Sequence, residues 1–161
     1  MTSDAIQALL RPFYGYLELG MDADANDSLE ALPDDVKPHP LVLTAQLELL
    51  MVMKRWEDGV ILGQSLCRIF SNHHDLWFRT AYCLHAMKRT AEAKETLLSA
   101  PTAISGTALY CYNLACYEAQ LGRIDRAKSL LEACFTKDAN MRATALDDPD
   151  LEQVWDSIAR E

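Results

Sequence analysis

Two small constellations in this chain carry side chains capable of chemistry. Cys67, His73, His74 and Asp75 are metal-ligand types close in sequence, and thiolate, imidazole and carboxylate donors are what zinc takes. Their spacing matches no ligand motif, with the cysteine on a helix and the other three in the loop after it. They read as an ordinary polar loop, and no metal is expected. The second constellation is Cys116 with His85, a thiol and an imidazole that could meet across neighbouring helices as a nucleophile and its base. A working nucleophile also needs a base within hydrogen-bond reach and an oxyanion donor, and nothing else in the chain supplies that set. The expectation is a protein that is not an enzyme and holds no cofactor. Cys83, Cys111 and Cys134 sit on apolar helical faces and read as buried thiols acting as small hydrophobes. Five cysteines, with no Cys-x-x-Cys pair, give no disulfide framework.

The elements that must position these residues recur at a fixed interval. Ala25, Gly59, Ala93 and Ala127 lie 34 residues apart, and four residues after each come Leu29, Gly63, Leu97 and Leu131. That is the period of a helix-turn-helix repeat that stacks into a solenoid, burying a core between neighbouring helix pairs. Setting the small residue at place 20 of the frame divides the chain into repeats 6–39, 40–73, 74–107 and 108–141. Cys111, Leu114 and Ala115, then Ala127, Leu130, Leu131 and Cys134, give amphipathic helical spacing on either side of Gly122, a helix stop. Gly20 holds the same place in the first repeat. Lys54 and Lys88 hold it in the second and third, where another cap, or a lysine suited to the helix dipole, is expected. Pro12 should break the first helix, so that helix is expected to start at Pro12, with Ser3 to Arg11 a separate turn or flexible cap. Asp148-Pro149 pairs an N-cap acid with a first-turn proline, and Leu151, Val154, Trp155 and Ile158 follow at helical spacing. They predict a capping helix over about 148–160 that covers the last repeat.

The segment Tyr112-Asn113-Leu114-Ala115-Cys116-Tyr117, continued by Gln120-Leu121-Gly122 and Ala127, resembles the last full repeat of bacterial tetratricopeptide repeat proteins, as does Asp147-Asp148-Pro149-Asp150-Leu151. Trp77, Ala81, Ala93, Leu97 and Ala100 match the third repeat. The resemblance covers residues 6 to about 158. It implies an all-α fold, an α-α superhelix of antiparallel helix pairs forming one domain over 1–161. It also implies a concave groove lined by the first helix of each pair. The groove residues are then Glu48, Phe78, Arg79, Tyr82, His85, Tyr112, Asn113, Cys116 and Gln120, with Thr44, Met51 and Tyr14 at equivalent places. Aromatic surface mixed with a few hydrogen-bonding groups suits a peptide, and Asn at the place of Asn113 commonly grips a peptide's main chain in similar repeats. The other reading is packing, with Tyr82 and Tyr112 between repeats and Asn113 in an internal contact. The carboxylate clamp of some family members is missing, because Thr44, Glu48, Arg79, Leu109 and Asn113 occupy its places.

Composition narrows the partner. The 161 residues are 50% hydrophobic and carry a net charge of −9, against nucleic acid, whose phosphates require clustered Lys and Arg. No apolar run approaches the roughly 20 residues of a membrane span, and the N-terminus lacks a basic n-region and an h-region; a cytoplasmic location is expected. The acids at the two ends, including Asp147, Asp148, Asp150 and Glu152, read as a solvated face. The resulting expectation is a non-catalytic scaffold or adaptor, monomeric or weakly dimeric, binding a protein or peptide partner in its groove. The alternatives are a small secretion-translocator chaperone, or a self-associating structural subunit whose groove is filled by its own tail or a second copy.

Overall fold

The computed structural model describes residues 1–159 and is all-helical, 77% helix, with no strand among the described residues. No described helix is long and apolar enough to cross a membrane. The chain divides into two compact units, one of residues 1–70 and one from Ser71 onward.

The first unit contains α1 (Ser3–Glu18), α2 (Asp22–Glu30), α3 (Pro40–Val52) and α4 (Trp56–Ile69). Ile6, Leu10 and Phe13 recur at four- and three-residue steps on α1 and bury one face against Ala25 and Leu29 of α2 and Val42, Ala45 and Leu49 of α3. Helix α3 starts where the sequence places it. Pro40 fills the first position and the His39 Nδ1 accepts the Leu41 N–H at 3.2 Å. The expected break at Pro12 does not occur: α1 runs unbroken from Ser3 through it. Pro12 removes the bond to the Ala8 carbonyl, but both residues are on the solvent side of the helix. Water can satisfy that carbonyl, and the packed face of Ile6, Leu10 and Phe13 holds the helix together.

The second unit contains α5 (His74–Ala86), α6 (Thr90–Leu98), the single turn α7 (Thr102–Ser105), α8 (Ala108–Gln120), α9 (Ile124–Lys137) and α10 (Met141–Asp147). A 3-10 helix (Pro149–Val154) and α11 (Trp155–Ala159) follow. Helix α8 lies at its centre, packed on α5, α6, α9 and the 3-10 helix. It is buried nearly all round, from Cys111 and Tyr112 through Ala119, as a helix with apolar residues on every face must be. The side chain of Glu118 is almost fully buried there and is met by Lys94 of α6 at 2.9 Å and Arg123 at 3.4 Å. The expected single capping helix over 148–160 is instead the 3-10 helix followed by α11, and its last residue, 160, lies outside the described residues. The added helix α10 was not foreseen. The Trp155 indole N–H donates to the Ala145 carbonyl and Arg142 to the Ile158 carbonyl, both at 2.9 Å, tying α10 to α11.

One turn geometry recurs through both units. The residues with positive φ among those described are Gly20, Lys54, Lys88 and Gly122, 34 residues apart, at φ 69, 56, 63 and 77°. At each, the left-handed residue donates its N–H three residues back and the next residue donates five back, as in Lys88 to His85 and Arg89 to Leu84. This is the Schellman cap. Lys54 and Lys88 therefore use the glycine-type cap itself, in a conformation that their Cβ atoms disfavour.

Candidate functional site

Eight of the nine expected groove residues fall in the second unit; Glu48 is on α3 of the first. Phe78, Arg79, Tyr82 and His85 are on α5, and Tyr112, Asn113, Cys116 and Gln120 on α8. Tyr82 is 49% exposed. Phe78 and Arg79 are half-buried, and Arg79 pairs with Asp75 one turn back. The Asn113 amide donates to the Leu109 carbonyl of its own helix at 2.9 Å.

The remaining four converge on one segment, the turn Asp148-Pro149-Asp150. The Tyr112 hydroxyl donates to Asp148 Oδ2 at 2.7 Å, and the Cys116 thiol lies 3.6 Å from the same oxygen. His85 Nε2 is 2.9 Å from Asp150 Oδ2, and the Gln120 amide donates to the Asp150 carbonyl at 2.9 Å. A carboxylate only accepts, so the proton lies on His85 Nε2, while Nδ1 meets the Thr90 hydroxyl at 2.9 Å. The turn is locally preset: the other Asp148 oxygen caps the Asp150 N–H at 3.0 Å and Pro149 fills the first helical position.

This arrangement disposes of the thiol and imidazole pair as a nucleophile. Both ring nitrogens of His85 are engaged, and Cys116 donates to Asp148. Burial, and then the charges of Asp148 and Asp150, push the Cys116 thiol far above its ordinary range. A thiol in that state supplies little thiolate at neutral pH. The Tyr112 hydroxyl is raised by burial and by its bond to Asp148. Beneath them Tyr117 is 2% exposed, its ring 5.1 Å from that of His85, and its hydroxyl has no hydrogen-bond partner among the described residues. Beside the turn, a depression of about 340 Å³ is lined by Lys88, Arg89, Thr90, Glu92, Gln120 and Leu121.

The other cysteines, Cys67, Cys83, Cys111 and Cys134, are buried. Cys116, expected on an open groove wall, is buried as well, at 5% exposure. Among the described residues no three His, Cys, Asp or Glu side chains gather as metal ligands would. Sequence reasoning missed Asp148 and Asp150 as part of the site, taking the acidic end as a solvated face. Asp147 and Glu152 are indeed exposed, but Asp148 and Asp150 turn inward. The Asp-Pro cap, one short connection beyond the last repeat, was the available signal.

No protein-family model matches the chain, and no curated protein matches it in sequence.

Proposed function

We propose that the chain is a tetratricopeptide-type repeat protein, four helix pairs in a right-handed superhelix, that works as a non-catalytic interaction module. Its working surface is the face of α5 and α8, which takes a peptide segment of a protein partner. The fold side of this reading is supported by the Schellman caps at 20, 54, 88 and 122 and by second helices starting at Asp22, Trp56, Thr90 and Ile124, the same 34-residue step.

The observation that carries the function is that this face already holds an irregular segment of its own chain. His85, Tyr112, Cys116 and Gln120 bond both carboxylates and a main-chain carbonyl of residues 148–150. Side chains arranged to hold backbone and acid groups of an irregular segment are what peptide recognition needs. Phe78, Tyr82 and Asn113 continue the face beside the turn on the same two helices.

A photoreactive phenylalanine analogue placed at Tyr82, with Leu98 of α6 as an equally exposed control, tests this in native extract. Adducts to a partner form from position 82 and not from 98. Adducts from 98 alone, or from neither, contradict the assignment of the face.

A further inference from the structure

The turn that occupies this face has the chemistry of a ligand. Asp148 and Asp150 are held by a phenol, a thiol, an amide and an imidazole, and no Lys or Arg contacts either carboxylate among the described residues. Two acids two residues apart therefore sit against a largely buried wall, where the one basic side chain bonded to them is His85. The Asp150 side chain is 37% exposed, so the turn lies at the surface of the unit, where another segment can reach it. The hydrophobic anchors that follow, Leu151 and Val154, are fully buried and hold the 3-10 helix that begins in the turn.

We propose that the face of α5 and α8 is a receptor for an acidic Asp-Xaa-Asp turn, and that Asp148-Pro149-Asp150 is its resident internal copy, displaced by a partner segment of the same chemistry. This deepens the interaction-module reading and rests on it. Three features beyond the resident contacts fit such a ligand. Tyr117 Oη, buried and unpartnered next to His85, has an unused donor for a carboxylate. The 340 Å³ depression opens from Gln120 and Thr90, both part of the existing contact network. Lys88 on its rim places positive charge where further acidic residues of an incoming segment would run, while Arg89 beside it is paired with Glu92 at 2.7 Å.

An internal ligand lowers the apparent affinity for an external one by the fraction of time the site is open. Weakening the internal copy must therefore strengthen binding in trans. The probe is a fluorescein-labelled peptide of residues 145–156, titrated by anisotropy with the full chain and with Asp148→Asn/Asp150→Asn. Asparagine is as good an N-cap as aspartate, so the variant keeps the turn's local fold while the charge-assisted bonds are lost. The variant binds the peptide about tenfold more tightly than wild type, the ratio expected when a site about 90% occupied internally is emptied. Adding Tyr112→Phe to the variant, a change of one hydroxyl, reduces that binding severalfold, and a peptide with both aspartates replaced by asparagine does not bind. Equal affinity for wild type and variant overturns the proposal, as does absence of binding to both or indifference to Tyr112→Phe. Those results leave crosslinking at position 82 unaffected, so the two readings fail separately.

Discussion

At the scale of single residues, the four left-handed caps are the clearest place where conformation and residue type can be set against each other. A Cβ at Gly20 or Gly122 would meet nothing within 4 Å, so the only obstacle to a side chain there is the backbone conformation itself. That obstacle is about 1 kcal/mol for an L residue. Lys54 and Lys88 already bear it. Gly20→Ala and Gly122→Ala should each destabilise the chain by about 1 kcal/mol, and Lys54→Gly and Lys88→Gly should each stabilise it by up to about 1 kcal/mol, read as shifts in urea midpoint at constant slope. A midpoint unchanged in all four would mean that the turns relax to another geometry. The residue scale also fixes the character of Cys116. Its position opposite His85 in the repeat frame invites a catalytic reading, and only the hydrogen bonds show that each residue is committed to an aspartate instead.

The helices of the second unit are joined by a charge as well as by apolar packing. Glu118 enters the buried side of α8, and its partner Lys94 comes from α6, with 14% of its side chain exposed. Removing one member of such a pair strands the other in low dielectric, whereas removing both does not. Lys94→Met is expected to cost about 3 kcal/mol, somewhat relieved by Arg123, which approaches the other Glu118 oxygen from solvent. Lys94→Met/Glu118→Leu should recover most of that loss. Denaturant unfolding of the single and double variants checks both values. A double variant as unstable as the sum of its singles would show that the pair contributes through packing alone. Element boundaries follow the same logic of local preference set against packing. The starts of α3, α5 and α8 at Pro40, His74 and Ala108 coincide with the repeat frame, because turn residues and apolar spacing agree there. Helix α1 does not, because a proline on the solvent face costs a bond that water can replace, and no local rule weighs that against three buried side chains.

Across the whole molecule, the repeat was legible because close helix packing demands small or apolar residues at fixed places. Ala25, Gly59, Ala93 and Ala127, and Leu29, Gly63, Leu97 and Leu131 with them, are all buried. The residues of the second-unit face were legible for a related reason, since the same frame puts them on one side of α5 and α8. What covers that face was not. Asp148 and Asp150 belong to a segment with no repeat period, and in a chain of net charge −9 two more acids look like solvent-facing charge. Only the fold brings residue 150 to residue 85, and long-range contacts of that kind leave no trace in local spacing. Helix α10, seven residues long, was likewise too short to carry a periodic signal.

The central claim is that the face of α5 and α8 is the working surface. Its most direct test is affinity capture from native extract with the wild-type chain and with Tyr82→Ala/Asn113→Ala, followed by mass spectrometry. Alanine is the strongest helix former, so the double variant is expected to keep both helices, which circular dichroism verifies. A partner held by the wild-type chain and lost by the folded variant is the predicted result. The same partner held equally by both would contradict the claim and move the working surface away from these two helices.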